Sequence, residues 1–412
     1  MDKITDGSAA SSPLWETLET YARAEIQQFV QRLLEEEVDA LLGRRKSERR
    51  AATQAPPGYR NGYGKPRQLA LASGTITVRR PRARDLEERF VSRVLPLFKR
   101  RTEEVGTLLP ELYLHGLALG DFELALRGLL GDGAPLSPSS ILRLKADWQA
   151  QYAAWGRRDL RDLPLVYLWA DGLYVKAGLE DTKAALLVLI GALADGRKVV
   201  LAVESGQRES SESWGALLRD LKARGLVAPK LTIADGHLGI WSALRQVFPE
   251  SAEQRCWNHK LRNVLDAVPQ KAQPEVQAQL QGIAAAASAA EAERRRRAFT
   301  AAYGRRYPKA AERLARDWER LVAYYAFPQE HWRHLRTTNV IESPFDAVRL
   351  RTSAAKRFKK VENAEALIWK LLVIAERSFR RLNGPRLMKE VYEGKKFVDG
   401  VAVKSSQRRL AA

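Results

Sequence analysis

The chain has 412 residues with a single cysteine, and its 69 Lys and Arg against 49 Asp and Glu leave a formal charge of +20 at pH 7. One cysteine excludes an internal disulfide, and a chain this long can bury a sizeable core in roughly two to four domains without metal or disulfide staples. No stretch approaches the roughly 18 uninterrupted apolar residues of a membrane span, and residues 1–13 lack the basic-then-apolar pattern of a secretion signal, so a soluble, cytoplasmic protein is expected. A positive charge of this size draws polyanions, with phosphate neutralisation and counterion release supplying the affinity. Because Arg and Lys recur in several separate segments, nucleic acid is expected as the partner rather than an indifferent basic surface.

Residues 14–42 predict a long helix whose Leu18, Phe29, Val30, Leu33, Leu34, Val38 and Leu41 form a broad apolar stripe, suited to its own domain or to a second copy. A linker rich in Ala, Pro and Gly follows, to residue 57. Tyr59 to Gly64, Leu69 to Ala72 and Thr75 to Val78 predict a small β element ending in Arg79, Arg80, Pro81, Arg82 and Arg84. Arginines on a short ribbon, Arg60 included, suit phosphate contact and equally suit a solvated edge strand. Residues 94–148 read as helical, broken at Gly116, Gly120, Gly131 and Gly133. Within them Ser137-Pro138 predicts a capped helix start, with Ser139, Ser140 and Arg143 on its first turns. The outline is a helix-turn-helix with its second helix in the major groove, an outline that any small helical bundle also gives.

The run from Leu163 to Lys176 is apolar and β-branched, has no helical period, and carries Asp171 in its middle. It predicts a buried strand, in which an ionised carboxylate loses its hydration unless a cation or hydrogen bonds replace it. Two further apolar runs, 184–192 and 198–203, are joined across Ala194-Asp195-Gly196 as a hairpin. A helix over 213–224, a strand over 230–234 ending at Asp235, a helix over 238–248 and a short strand over 251–257 follow. Three strands starting with a hairpin, then helix, strand, helix and strand, predict an α/β fold with a mixed five-stranded sheet and helices on its faces. Residues 262–335 are helical and rich in Ala, Arg and Glu, and read as an inserted all-helical domain. Helices around 345–351 and 363–382 and a mobile basic tail complete the chain.

Six Asp-Gly dipeptides occur, so Asp171 and Asp235 could be ordinary turn residues like Asp6, Asp132, Asp195 and Asp399. The turn reading fails for Asp171, because the apolar run resumes at Leu173, Tyr174 and Val175. Asp235 falls at a strand's C-terminal end before a helix, where open α/β sheets place ligands. Glu342 is a third acid. Asn339-x-x-Glu342 fits a capping box, but a helix starting at Ser343 with Pro344 first spares Glu342 that duty and avoids an interior proline. Cys256-x-x-His259 offers only two of a zinc site's four ligands, so a packing and hydrogen-bonding pair is the default reading, while His331 and His334 read as surface or local contacts. Three carboxylates in a basic protein suit Mg²⁺, which takes oxygen ligands and substrate phosphate. Two such ions about 4 Å apart would support in-line cutting or joining of phosphodiesters.

Together these segments resemble the transposases of the Mutator-like group of bacterial insertion sequences. The resemblance rests on Asp171-Gly172 with Tyr174 and Lys176, and on Ala234-Asp235-Gly236-His237 with Gly239. It rests also on Arg255-Cys256-x-x-His259 with Arg262-Asn263, and on Thr337-Thr338-Asn339-x-Ile341-Glu342-Ser343 with Arg349, Arg351 and Thr352. Upstream, Arg60-Asn61-Gly62-Tyr63 and Pro81-Arg82-x-Arg84 are similar too. The resemblance implies a DDE enzyme with a ribonuclease H-like core, Asp171, Asp235 and Glu342 being the catalytic and metal-binding triad, with spacings of 64 and 107 residues. It implies two Mg²⁺ ions, with Mn²⁺ as a substitute, and a homodimer in the bacterial nucleoid acting on double-stranded DNA at terminal inverted repeats and at the target. Arg60, Arg79, Arg80, Arg82, Arg84, Ser139, Ser140, Arg143, Lys176, Arg349 and Arg351 are the expected DNA contacts. Cys256 and His259 match a family motif without a derived role. The resulting organisation is an N-terminal helical region and linker (1–57), a DNA-binding region (58–155), the core in two parts (156–261 and 336–385), the helical insertion between them (262–335) and the basic tail (386–412). A metal nuclease on the same core that cuts without joining, and a DNA-binding regulator without catalysis, are the competing readings.

Overall fold

A computed structural model describes residues 13–48, 58–86, 88, 90–95, 102, 138–177, 183–206, 209–236, 238–355, 358 and 360–403. The chain forms two compact units, Met1–Leu144 and Lys145–Ala412.

In the first unit helix α1 (Pro13–Leu42) packs on two antiparallel ribbons, β1 (Tyr59–Tyr63) with β4 (Pro81–Arg84) and β2 (Arg67–Leu71) with β3 (Gly74–Val78). Leu34, Leu69, Ile76, Val78 and Leu95 form the small core, with Ile26 and Val30 against it. The helix and the ribbons, separate regions in the sequence reading, thus share one core. The buried stripe is narrower than expected. Ile26, Val30, Leu34, Val38 and Leu42 recur every fourth residue toward the ribbons, whereas Leu18, Phe29 and Leu41 are exposed. Gln27 and Gln31 do what apolar residues cannot at the ribbon edge: they bond the backbone of Thr77 and Arg79 at 2.9 to 3.0 Å. The first helix of the expected helix-turn-helix falls at 103–137, outside the described residues. Its second is α2 (Pro138–Gly156), starting where Ser137-Pro138 predicts.

The second unit is a five-stranded mixed sheet in the order β7-β6-β5-β8-β9. The central strand β5 (Leu165–Lys176) pairs antiparallel with β6 (Lys183–Leu193) and parallel with β8 (Leu231–Ala234), while β6 pairs antiparallel with β7 (Lys198–Gly206) and β8 parallel with β9 (Ala252–Arg255). The β6–β7 hairpin turns as predicted at Asp195-Gly196, where Gly196 has φ +82° and Asp195 accepts from the Arg197 N–H at 2.9 Å. Parallel pairing requires long crossovers, supplied by α3 (Ser211–Ala223), capped by Ser210, and by α4 (Leu238–Val247). These helices cover one sheet face with Trp214, Leu218, Trp241 and Leu244, packed on Leu168, Leu187 and Leu201. Trp241→Ala is expected to lose about 3–5 kcal/mol of stability in urea unfolding, because a fully buried indole leaves a cavity its neighbours cannot fill.

Tyr167 and Trp169 point to the other face. There the Tyr167 hydroxyl meets His331 Nδ1 at 2.8 Å and the Trp169 indole donates to the His334 carbonyl at 3.2 Å. His331 is fully buried and bonded to the distant Tyr167, not the surface or local contact expected, because a ring with a bond partner on each nitrogen can be enclosed. After α5 (Trp257–Leu265) the predicted helical block consists of α6 (Gln273–Ala284), α7 (Ala289–Tyr303), α8 (Pro308–Ala315), α9 (Trp318–Val322) and α10 (Trp332–Leu335) with short 3₁₀ turns. Then come α11 (Asn339–Ala355) and α12 (Val361–Glu376). From α12, Glu365 and Glu376 accept the N–H groups of Ser205 and Val200 on β7, which blunts that sheet edge. The C-terminal segment is not a tail from 386 onward. Helix α13 (Pro385–Tyr392) buries Met388 and Val391, and the ribbon β10 (Phe397–Val398) with β11 (Val401–Ala402) buries Phe397. These apolar anchors hold it despite its many charges.

Candidate active site

Strand register places the first two acids. In the parallel pair Trp169 lies opposite Ile233 and Ala170 opposite Ala234, so one step further Asp171 and Asp235 stand side by side. Side chains alternate, so both carboxylates share the face of Trp169 and Ile233. Strand β8 ends at Ala234, while β5 runs on from Asp171 to Lys176 paired with β6, which opens the C-terminal end of the sheet beside the acids. Lys176, by the same alternation, projects from the opposite face to Asp171.

Asp235, a candidate site residue, also starts a turn. The turn it starts needs Gly236 at φ +106°, and a Cβ there would lie 2.3 Å from Arg255 Nε. Arg255 donates to the Asp235 carbonyl at 3.3 Å and pairs with Asp317, whose carboxylate also lies 3.6 Å from the buried Lys260 ammonium. This support was not read from the sequence, although Arg255 stands in a quoted motif.

Glu342 arrives from α11. The helix starts at Asn339, not Ser343: the Thr338 carbonyl accepts the N–H groups of Ile341 and Glu342 at 2.9 and 3.0 Å. Pro344 is therefore inside the helix, where its missing N–H removes one bond of the ladder; buried packing of Ile341, Phe345 and Val348 holds the turn together. Glu342 lies in the first turn and accepts the Thr338 hydroxyl at 2.5 Å. His259 Nδ1 is 3.8 Å from the same carboxylate oxygen.

Burial pushes the Asp171 carboxyl up to about 7, and the negative charges of Asp235 and Glu342 push the same way, against the Gly172 N–H, which donates at 2.8 Å, and the charge of His259. Mutual repulsion is thus present, as three metal-free acids require, but loss of water is the larger cause. His259 is raised to about 9 by its bond with Cys256 and by the charges of Cys256, Asp235 and Glu342, against burial. The side-chain atoms that lie within 4.8 Å of one another, among the described residues, are those of Cys256, His259 and Glu342 rather than of the three acids.

Other expected contacts separate by placement. Arg82 and Arg84 are exposed on β4, and Arg349 is exposed two helical turns beyond Glu342, paired with Asp346 at 3.2 Å. The Arg79 side chain is exposed, and Arg80 is half-buried with an enclosed Nη1. Two expectations are corrected. Arg60 is held by Glu35 and Asp39 of α1, and Arg351 is 3% exposed, so neither presents a free guanidinium to a phosphate. The side chains of Ser139, Ser140 and Arg143 lie outside the described residues. No described helix is long and apolar enough to cross a membrane.

A family model described as "Transposase, Mutator family" matches residues 8–381. The chain belongs to this family. Among relatives of this Mutator-family member, the transposase for insertion sequence element IS6120 of Mycolicibacterium smegmatis is 47% identical over 72% of this chain and 92% of its own length. That for IST2 of Acidithiobacillus ferrooxidans is 43% identical over 67% and 94%. That for ISRM5 of Rhizobium meliloti is 30% identical over 95% and 98%. Family and relatives together support a transposase role for the chain.

Proposed function

We propose that this Mutator-family protein is a DDE transposase with a ribonuclease H-like core, in which Asp171, Asp235 and Glu342 perform metal-dependent DNA cleavage and strand transfer at terminal inverted repeats. The observation that carries the reading is the parallel register of β5 and β8, which ends with Ala170 opposite Ala234 and so sets Asp171 and Asp235 as the next residues at the open C-terminal end of the strands, under the field of Glu342. The 3-2-1-4-5 strand order with an antiparallel second strand supports the ribonuclease H-like assignment, and the helical block before α11 supports an insertion between core halves.

The donor chemistry of the three acids suits Mg²⁺. Their donors are hard oxygens from three separate segments, and a half-buried carboxyl pushed toward neutrality chiefly by burial, with the acids beside it adding to the shift, is one a divalent cation would restore to its charged form. Bound there, Mg²⁺ or Mn²⁺ would make the attacking oxygen a nucleophile and stabilise the leaving one. The strand pair would fix the separation of two carboxylates, and α11 would bring the third. The charge of His259 would offset the acids as a phosphodiester enters. Arg82, Arg84 and Arg349 are the candidate phosphate contacts on double-stranded DNA, acting in a homodimer.

The test is a repeat-end duplex with Mg²⁺, following 3′-end cleavage and the joining of that end to a second duplex. Wild type is expected to do both, and Glu342→Gln neither while still binding the duplex. Undiminished cleavage by Glu342→Gln would remove the acid triad; cleavage without joining by wild type would leave a nuclease.

A further inference from the structure

The sulfur, imidazole and carboxylate of Cys256, His259 and Glu342 lie close enough to suggest a soft-metal site. The contacts of Thr338 give them a different centre. Its Oγ1 is 2.5 Å from Glu342 Oε1, 3.2 Å from Cys256 Sγ and 3.4 Å from His259 Nδ1. We propose that Thr338 is a positioning residue for Glu342, and that the Cys-x-x-His motif acts on this acid through the Thr338 hydroxyl. The inference rests on Glu342 being a working acid of the site.

A hydroxyl has one proton and two lone pairs. The shortest contact, to a carboxylate that can only accept, takes the proton, and this leaves Oγ1 to accept from the imidazole Nδ1–H. The Cys256 sulfur accepts the Thr338 backbone N–H at 3.3 Å and also faces the His259 imidazole. Every group then has a compatible partner, and the carboxylate is held in one rotamer by a side chain that is itself immobile. Thr338 is fully buried and β-branched, hence stiff at χ1.

The same residue also fixes the helix that carries the acid, since its carbonyl accepts the N–H groups of Ile341 and Glu342 in the first turn of α11. Flanking bonds run from the Trp257 N–H to the Arg336 carbonyl, at 2.8 Å, and from Asn258 to the Asn339 side chain, at 3.0 Å. Cys256 and His259 therefore both sit on a segment, β9 into α5, that is bonded to both sides of Thr338. This segment also leaves the sheet next to Asp235, because the Cys256 N–H donates to the Ala234 carbonyl at 2.8 Å. Thr338 is thus the joint at which the strand acids and the helix acid are brought into a common frame.

Full-length Thr338→Val and Thr338→Ser are compared with wild type for Mg²⁺-induced thermal stabilisation and for the Mg²⁺ dependence of repeat-end cleavage. Residues that orient a metal ligand change metal affinity or activity by about 10- to 100-fold when replaced. Thr338→Val is expected to shift both Mg²⁺ midpoints upward by about tenfold or more, with Thr338→Ser returning them to within about threefold of wild type. A wild-type midpoint in Thr338→Val, or an equal defect in Thr338→Ser, overturns the proposal. Should the valine variant fail to fold, Cys256→Ser and His259→Gln provide the measure: each shifts the midpoint in the same direction, and an unchanged midpoint in both overturns it. Cobalt(II) that gives a thiolate charge-transfer band in wild type, lost in Cys256→Ser, would assign the three groups to a soft metal instead. Glu342→Gln separates the readings. If it is inactive while Thr338→Val is normal, only the positioning role fails; if it is active, the triad fails as well.

Discussion

Asp171→Asn is expected to lose cleavage by about a thousandfold or more and, in metal-free buffer above pH 7, to unfold at a higher temperature than wild type. On the proposed mechanism the activity loss follows from removing a ligand whose metal would supply several kcal/mol of transition-state stabilisation, each ~1.4 kcal/mol being tenfold in rate. The stability gain follows from proton linkage. Burial holds the folded carboxyl up at about 7, well above an unfolded aspartate near 3.9. Between these values the native state binds the extra proton, so the contribution of Asp171 to stability is fully present below about pH 4, declines as pH rises to about 7, and levels off above. The asparagine variant lacks this decline. For a half-buried group still reached by water the difference above pH 7 should be about 2 kcal/mol. Paired urea titrations at pH 5 and pH 8 measure it. Mg²⁺ should stabilise wild type at pH 8 and leave the variant unchanged; parallel pH profiles for the two proteins would show that Asp171 is not held in a dehydrated site.

Gly239→Ala is expected to destabilise the protein by about 2–3 kcal/mol, the scale of an overpacked contact, and to reduce cleavage with it. A Cβ at Gly239 would lie 2.5 Å from the Glu209 carbonyl oxygen and 2.9 Å from the backbone of Ser210 and Ser211, the N-terminal cap of α3. Backbone cannot rotate away as a flexible side chain can, so α4 must move, and the Asp235-Gly236 turn stands immediately before α4. Gly282→Ala supplies the contrast. It lies within α6, and its Cβ would meet only Arg295 Nη1, at 3.5 Å. There the methyl fits, and the higher helix propensity of Ala should add about 0.5–1 kcal/mol. Chemical unfolding of both variants gives opposite signs; equal signs would mean that the close approach at Gly239 is relieved elsewhere.

The sequence determined what local chemistry can determine. The β5 run with Asp171, the Asp195-Gly196 hairpin, the alternation of strand and helix through Asp235, and the helical character of 262–335 all follow from periodicity and turn residues, which act over a few positions. The acids were legible for a related reason: a charge inside an apolar strand is conspicuous wherever the strand goes. Tertiary structure decided the rest, because partners far apart in the chain set it. Arg60 looks like a phosphate contact until Glu35 and Asp39 of α1 claim it, and Arg351 until its helix turns it inward. The start of α11 was misplaced by four residues because a proline's local penalty was outweighed by the buried packing of Ile341 and Phe345. Thr338 stands in the motif around Glu342, but nothing local in the sequence shows its role. Its place in the site depends on Cys256 and His259, about 80 positions away, and only the folding of β9 and α5 against the start of α11 brings a hydroxyl between them.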